Sequence, residues 1–264
     1  MAEIGLIGMG NMGSAVMKAL VEKKGAEKLL FSCRTKEHGE RVSGETGVRF
    51  EPSNKLVAEK SDLVILAVKP VIYPQVLSEI RDVMGGRKIL VSFAPGISIA
   101  DLTEKLGGFD RIVRCMPNTP AKVGEGMTGV SYDETKFTGE EQERIGDIFR
   151  SFGRMVKVEE RLMDAVTTVS GSSPAFVFLF INALADAGVR YGLRKSDAIE
   201  MAAQTVLGSA KLVLETKEHP EVLKDQVCSP AGTTIEAVAA LEEAGFRSAV
   251  LKGADACYRK CIGK

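Results

Sequence analysis

Three glycines near the N-terminus constrain this chain more than any other feature of its sequence. Between an apolar run at residues 4–7 and an amphipathic stretch at residues 12–24 they form the motif Gly8-Met9-Gly10-Asn11-Met12-Gly13. Such a turn between a strand and a helix lets the backbone approach a pyrophosphate, whose charge meets the free N–H groups of the helix. A simple glycine turn is the alternative, but the flanking strand and helix favour dinucleotide binding.

Short apolar runs alternate with amphipathic stretches over the first half of the chain, and the pattern changes near residue 160. We expect strands at residues 4–7, 29–31, 63–68, 89–93, 112–114, 129–132 and 155–158. We expect helices at 12–24 and 71–84, and a Thr138-x-x-Glu141 capping box opens another. This order predicts an α/β fold with a parallel sheet covered on both faces, of the doubly wound Rossmann type.

Beyond residue 162 the pattern is helical, with expected helices at 174–187, 197–216 and 235–244. We therefore predict a dinucleotide-binding domain at 1–158 and an all-helical domain at 159–264. Residues 176–181 are apolar on every side, so their helix needs cover all round. We expect a second subunit to supply part of it, which makes the helical half a dimerisation domain. The alternative is a core helix wrapped by its own domain.

Charge and cysteine usage exclude several classes of protein. Thirty-five basic residues balance thirty-five acidic ones in 264 positions, so nothing favours nucleic acid as a partner. The longest apolar run, residues 175–181, is short of the ~20 residues of a membrane span, and the N-terminus lacks the basic segment of a secretory signal. We expect a cytoplasmic protein without a membrane partner. Five cysteines without a C-x-x-C pair, and two histidines, predict no metal site, although Cys257 and Cys261 are one helical turn apart.

The end of the second predicted strand indicates which dinucleotide binds. An NAD-specific site places Asp or Glu there, whereas this chain has Ser32-Cys33-Arg34-Thr35. A guanidinium with flanking hydroxyls suits a 2′-phosphate, so NADPH is favoured and NADH stays open as an alternative. The other interpretation is a solvated arginine, since Glu37 and Glu40 lie nearby.

Two further segments follow predicted strands at the carboxyl edge, where ligands of such sheets bind. They are Ala67-Val68-Lys69-Pro70 and the loop Cys115-Met116-Pro117-Asn118-Thr119-Pro120, whose prolines make it stiff. The residues predicted to bind the cofactor are Gly8, Gly10, Asn11, Met12, Gly13, Ser32, Arg34, Thr35, Asn54, Ala67, Val68, Lys69 and Asn118.

The chain lacks a well-placed side-chain base. His38 and His219 lie in charged runs typical of solvated surface, and residues 162–188 contain no Lys, Arg or His. Within a similar two-domain layout, β-hydroxyacid dehydrogenases carry a catalytic lysine there. Their alcohol substrates need a base or acid beside the reacting carbon, whereas a protonated C=N bond accepts hydride without one. An imine substrate therefore fits this chain.

Two helix starts in the second half are suited to hold a carboxylate. Ser170-Gly171-Ser172-Ser173-Pro174 places small residues before a helix, with Ser173 as its expected N-cap. Ser229-Pro230-Ala231-Gly232-Thr233-Thr234 leads into the helix expected at 235–244 and offers free N–H groups and two hydroxyls. Ordinary helix capping is the alternative for either segment.

Together these motifs resemble pyrroline-5-carboxylate reductase over essentially the whole chain. The most specific match runs from Ser229 to Glu242, although Ala231 and Ser173 stand where that family commonly has glycine. The resemblance implies an NAD(P)H-dependent reduction of L-1-pyrroline-5-carboxylate to L-proline, the last step of proline biosynthesis. It also implies a homodimer of interleaved helical domains, often assembled into a homodecamer. Alternatives are a related imine or β-hydroxyacid reductase and a non-catalytic dinucleotide sensor.

The resemblance further implies which residues hold the small-molecule substrate. Backbone N–H groups around Gly232 to Thr234 would bind the carboxylate, and the catalytic Thr234 hydroxyl would face the ring nitrogen. The substrate-binding residues implied in this way are Met116, Ser170, Ser229, Gly232, Thr233 and Thr234.

Overall fold

The computed structural model describes residues 2–263 and divides them into two compact units. The first runs to Ser172 and includes the short segment from Tyr258 onward, and the second is Ser173–Cys257. The functional domain limits, 1–158 and 159–264, stay a prediction.

One sheet of eight strands forms the centre of the first unit, in the order β3-β2-β1-β4-β5-β6-β7-β8. Neighbouring strands are parallel except β6 and β7, which are antiparallel. The expected parallel sheet is therefore confirmed for β1 to β6 and wrong at β7, which follows β6 through a short connection instead of a crossover helix. The strands are β1 Ala2–Ile7, β2 Leu29–Ser32, β3 Arg49–Phe50, β4 Ser61–Leu66, β5 Ile89–Ser92, β6 Ile112–Met116, β7 Gly126–Ser131 and β8 Gly153–Lys157.

Both faces of this sheet are buried, because side chains alternate between two apolar clusters. In β4, Leu63 and Ile65 belong to one cluster and Val64 and Leu66 to the other, all four without solvent exposure. Burying each such side chain contributes about 1.5–3 kcal/mol. The helices of this unit are α1 Asn11–Lys24, α2 Lys36–Thr46, α3 Asn54–Glu59, α4 Tyr73–Ile80, α5 Ile99–Lys105, α6 Gly139–Arg150 and α7 Met163–Val166.

Two predicted elements of this unit end elsewhere than expected. Strand β4 stops at Leu66 rather than residue 68, so the segment from Ala67 is already a connection. The helix expected at 71–84 is α4 flanked by 3-10 turns, Pro70–Ile72 and Arg81–Val83. The prolines at 70 and 74 lack the N–H groups that a continuous α-helix would need.

The second unit is helical and has few buried residues of its own. Its helices are α8 Pro174–Arg190, α9 Lys195–Thr216, α10 Pro220–Val227 and α11 Thr233–Glu243, together with α12 Phe246–Cys261 up to Cys257. Helices α8 and α9 pack closely through small residues: a Cβ placed on Gly188 would lie 3.0 Å from the Cβ of Ala198. By contrast, Phe178 is 62% exposed and Leu179 71% exposed. This unit alone therefore leaves a large apolar surface uncovered.

Within residues 2–263, one helical span is long and apolar enough, by length and composition, to cross a membrane: Glu160–Arg190, 31 residues. The uninterrupted apolar run stays 175–181, as the sequence shows, and small residues on both sides extend the apolar character of the helical span beyond it. Only 11% of its most apolar window is buried within the chain. A helix that a partner chain covers has the same properties.

Candidate active site

The three motif glycines are required for three different reasons. Gly8 has a φ of +104°, a left-handed conformation that favours glycine, and its N–H donates to the Ser32 carbonyl at 2.9 Å. A Cβ on Gly13 would lie 2.0 Å from the Gly8 carbonyl oxygen. Gly10 has an ordinary φ of −82°, and no atom lies within 4 Å of where its Cβ would be. The open space at Gly10 leaves room for a ligand that approaches the backbone.

Helix α1 begins beside this open space, with Gly10 as its N-cap residue. The cap has no side-chain hydrogen bond, and the first turn contains no acidic residue. The N–H groups of Asn11, Met12 and Gly13 have no partner inside the helix, because the first intrahelical bond is from Ser14 to the Gly10 carbonyl. A pyrophosphate fits this arrangement of donors and space.

Arg34 follows β2 as an exposed cation. Glu40 pairs with Lys36 at 3.5 Å, and no carboxylate of residues 2–263 lies within ion-pair distance of the Arg34 guanidinium. Thr35 is the N-cap of α2, where its Oγ1 accepts from the His38 N–H at 3.4 Å. The expected cation and hydroxyl thus lie side by side at a helix N-terminus, and neither nearby glutamate neutralises the arginine.

Ser32 does not face solvent. It is fully buried, and its Oγ lies 2.6 Å from Asn54 Oδ1. Asn54, the half-buried first residue of α3, is the more accessible member of the pair. Ser32 is therefore placed to hold Asn54 and, through its carbonyl, the Gly8 turn.

The segment after β4 lies at the same carboxyl edge. The Ala67 N–H donates to the Ile7 carbonyl at 2.9 Å, which fixes the segment beside the end of β1. Ala67 and Val68 are half-buried, and Lys69 is exposed. These three residues therefore line the edge next to the glycine turn.

A buried tyrosine that the sequence analysis missed connects the ends of the two central strands. The Tyr73 hydroxyl donates to the Leu66 carbonyl at 2.9 Å and accepts from the Phe93 N–H at 3.2 Å. Burial raises the pKa of this phenol, so it stays protonated. No local pattern marks Tyr73, because its partners become neighbours only when β4 and β5 pair.

The loop after β6 contacts both β7 and the segment around Ser170. Asn118 is buried; its Oδ1 accepts from the Met127 N–H at 2.8 Å, and its Nδ2 donates to the Ser170 carbonyl at 3.0 Å. A Cβ on Gly171 would lie 2.8 Å from the Met116 side chain. The Asn118 amide therefore holds its loop against Ser170.

The segment around Ser170, expected only to precede a helix, is itself a π-helix, Thr167–Ser172. The hydroxyls of Thr167, Thr168 and Ser170 each donate to the carbonyl four residues earlier, at 2.9–3.0 Å. Ser173 is the N-cap residue of α8, as predicted, but it has helical backbone angles and its side chain makes no capping hydrogen bond. The cause is that the chain is already helical before Pro174. π-Helical turns of this kind occur often at functional sites.

The start of α11 has the properties of an anion site. The helix begins at Thr233, two residues earlier than expected, and its N-cap, Gly232, has no side-chain hydrogen bond. Thr234 is half-buried, and none of residues 2–263 accepts a hydrogen bond from its hydroxyl. Ala231 takes a φ of +57°, the conformation for which glycine is the usual residue. Ser229 is exposed and its carbonyl accepts from the Gly232 N–H at 3.0 Å.

Both histidines lie at the N-terminal ends of helices. His38 lies in the first turn of α2, and His219 is the N-cap of α10, where its Nδ1 accepts from the Glu221 N–H at 3.2 Å. In the part of the chain that the structure describes, no group of three His, Cys, Asp or Glu side chains could hold a metal ion.

Comparison with known proteins identifies the family. A family model described as NADP oxidoreductase coenzyme F420-dependent matches residues 3–96, and one described as pyrroline-5-carboxylate reductase dimerisation matches residues 160–263. The pyrroline-5-carboxylate reductase of Escherichia coli (strain K12) is 43% identical over 260 residues, covering 98% of this chain and 96% of that protein. The chain belongs to the pyrroline-5-carboxylate reductase family.

Solved structures of pyrroline-5-carboxylate reductases agree with this assignment over the full length. The protein from Coxiella burnetii is 31% identical, with a TM-score of 0.92 and coverage of 99% of this chain and 98% of that one. The Plasmodium falciparum protein, solved with NADP bound, is 32% identical, with a TM-score of 0.87 and coverage of 98% and 97%. The resemblance is confirmed, as is the fold of a Rossmann sheet followed by helices. The chain is an oxidoreductase that uses a nicotinamide dinucleotide, and its dimerisation region supports a homo-oligomer.

Proposed function

We propose that this chain reduces L-1-pyrroline-5-carboxylate to L-proline, the last step of proline biosynthesis. The observation that carries the proposal is that a member of this family has both an open dinucleotide turn at Gly10 and an uncapped helix start at Thr233. The dinucleotide, when bound, supplies a hydride to the C5 carbon of the ring. The C=N double bond becomes a single bond, and the ring nitrogen gains a proton.

The proposed cofactor is NADPH rather than NADH. The unpaired Arg34 guanidinium and the Thr35 hydroxyl are donors suited to a 2′-phosphate, which carries acceptors only. The first-turn N–H groups of α1 would hold the pyrophosphate, and Asn54 would contact the ribose. Ala67, Val68, Lys69 and the loop held by Asn118 would border the nicotinamide end.

The substrate contacts are proposed from what each group offers. The N–H groups at the start of α11, between Gly232 and Thr234, suit the substrate carboxylate because a helix N-terminus favours negative charge. Ser229 would add a hydroxyl there. The Thr234 hydroxyl would orient the ring nitrogen without acting as a strong acid, and Met116 and Ser170 would contact the ring. This division needs no side-chain base.

We further propose a cytoplasmic enzyme that forms homodimers through its helical domain and assembles these into decamers. The exposed Phe178 and Leu179 support an interface on α8. A partner chain buries such side chains at the centre of an obligate interface.

A steady-state assay tests the activity. The purified protein is given NADPH with pyrroline-5-carboxylate, or with each member of a panel of keto acids, and NADPH oxidation is followed. We expect turnover with the imine only. Turnover of a keto acid at a higher rate would replace the proposed substrate, and no turnover with any of them in a protein that binds NADPH would favour a dinucleotide sensor.

A further inference from the structure

Asn54 is the centre of a hydrogen-bonded chain that runs from the glycine turn to the surface of α4. Its Oδ1 lies 2.6 Å from Ser32 Oγ, and its Nδ2 donates to Glu79 Oε2 at 2.7 Å. The other oxygen of Glu79 accepts from Gln75 Nε2 at 2.8 Å. Three elements, β2, α3 and α4, therefore fix one amide.

The chemistry of Glu79 determines which way this amide points. An ionised carboxylate only accepts hydrogen bonds, so the Asn54 atom that faces Glu79 must be the nitrogen. Oδ1 then faces Ser32, whose hydroxyl must donate. Ser32 itself imposes no direction, because a hydroxyl donates or accepts equally well. Glu79 alone therefore sets the polarity of the chain.

The Asn54 amide can still donate one hydrogen bond to a ligand. Asn54 is half-buried whereas Ser32 is fully buried, so a ligand meets the asparagine first. One of the two Nδ2 hydrogens of Asn54 is not used by the hydrogen bonds to Ser32 and Glu79. Its hydrogen bond to Ser32, the last residue of β2, holds Asn54 beside the end of that strand, the place at which a dinucleotide-binding sheet reads the adenosine ribose.

We propose that Glu79 is a positioning residue for cofactor choice: it holds Asn54 with an N–H toward the adenosine ribose and so favours a 2′-phosphate. A phosphate only accepts, so it tolerates a donor and is repelled by an amide oxygen. A 2′-hydroxyl satisfies either end of the amide. The orientation therefore matters for NADPH and little for NADH. The inference rests on the cofactor proposed above.

Direct electrostatics would act in the opposite direction. Removing a carboxylate near a bound phosphate relieves repulsion, so a purely Coulombic role predicts tighter NADPH binding when Glu79 is neutralised. If Glu79 instead acts by fixing the orientation of the Asn54 amide, Glu79→Gln should weaken NADPH binding, because a glutamine lets Asn54 adopt both orientations. The sign of the change separates the two explanations.

The test is a double-mutant cycle read by equilibrium binding, without substrate. Dissociation constants for NADPH and NADH are measured calorimetrically for wild type, Glu79→Gln, Asn54→Ala and the double variant. We expect Glu79→Gln to weaken NADPH by about two- to fivefold, the size of one lost neutral hydrogen bond, and NADH by less than about twofold. In the Asn54→Ala background it should cause no weakening, because Glu79 acts through that amide.

Two further variants control the result. Asp82→Asn removes a negative charge from the exposed turn after α4, at a side chain that makes no hydrogen bond to Asn54 within residues 2–263, and should not weaken NADPH. Gln75→Ala frees one Glu79 oxygen without changing the charge. It should weaken NADPH binding as Glu79→Gln does, by a smaller factor. If Glu79→Gln does not fold, Gln75→Ala tests the inference in its place.

Three outcomes overturn the inference: tighter NADPH binding in Glu79→Gln, equal weakening of both dinucleotides, or the same effect with Asn54 removed. Because no substrate is present, failure of the proposed imine reduction leaves this test intact. A wild-type protein that binds neither dinucleotide refutes the cofactor proposal and this inference together.

Discussion

Arg34 is the residue on which the proposed preference for NADPH depends most directly, because no carboxylate of residues 2–263 pairs with it. Arg34→Ala should weaken NADPH by roughly ten- to a hundredfold, the loss of one charge-assisted contact of about 1.5–3 kcal/mol, and change NADH little. Binding titrations with both dinucleotides measure this. Lys36→Ala removes a neighbouring cation that already pairs with Glu40 and should have a small effect. Equal losses for both dinucleotides in Arg34→Ala would rule out a 2′-phosphate contact.

Thr234 lies at the start of a helix, and none of residues 2–263 accepts a hydrogen bond from its hydroxyl. If it makes one neutral hydrogen bond that strengthens in the transition state, Thr234→Val should lower turnover by roughly five- to 150-fold, for a bond worth about 1–3 kcal/mol. Thr234→Ser is the matched control and should keep most activity. Steady-state kinetics of both variants measure the difference. Wild-type turnover in Thr234→Val would assign the ring nitrogen to water or another group.

At the scale of elements, two glycines of the same turn are expected to have different roles, Gly13 in stability and Gly10 in dinucleotide binding. Gly13→Ala should destabilise the protein by about 1–3 kcal/mol or more, because its Cβ would lie 2.0 Å from the Gly8 carbonyl oxygen and the backbone must shift. Gly10→Ala should change stability by less than about 1 kcal/mol yet lower dinucleotide affinity, since its Cβ enters open space. Denaturant unfolding and binding titrations of the two variants test this contrast. Unchanged affinity in Gly10→Ala would place the pyrophosphate elsewhere.

Helix α6 has a capping box whose stability depends on pH. Burial raises the pKa of Glu141, but hydrogen bonds from the Thr138 N–H and Arg111 outweigh it and hold the pKa at about 2, below its ordinary 4.5. A carboxyl with a depressed folded-state pKa stabilises the fold above the unfolded value and loses this as pH falls. The contribution should therefore be complete above about pH 5 and vanish toward pH 2. Glu141→Gln should cost about 1 kcal/mol at pH 7, and the difference from wild type should disappear near pH 2 in denaturant unfolding.

Elements with strong local patterns were predictable from the sequence, and elements set by distant partners were not. Apolar runs predict β1, β4 and β5, and Thr138-x-x-Glu141 predicts the start of α6, because these depend on residues close in the chain. The antiparallel β7 depends on pairing with β6. In the π-helix, hydroxyls bond to carbonyls within an already helical segment, and the small residues of this segment carry no local pattern that predicts it.

The candidate site shows the same division between local and distant signals. The glycine motif and Arg34 were visible as local patterns. The contacts that hold Asn118 and Asn54 join residues 52 and 25 positions apart, respectively, and no spacing rule reveals them.

For the whole molecule, the exposed side chains of α8 predict that assembly and activity are linked. Phe178→Asp places a charge on a surface that we expect a partner chain to bury, where an unpaired charge is strongly unfavourable. The variant should sediment as a smaller species and lose activity. Lys18→Asp, on the exposed side of α1, introduces the same side chain at a polar position and should change neither. A wild-type protein that sediments as an active monomer would contradict this prediction.

The unequal cores of the two units also set the order of events during folding. The sheet has both of its apolar clusters complete within one chain, so its formation is unimolecular and independent of protein concentration. In the second unit, the described residues with buried apolar side chains are Ala185, Ala198 and Ala202, which bury little area. We therefore expect the second unit to reach its final structure only when it associates with another chain. Refolding should show a concentration-independent phase followed by a second-order one, and dilution should lengthen only the second.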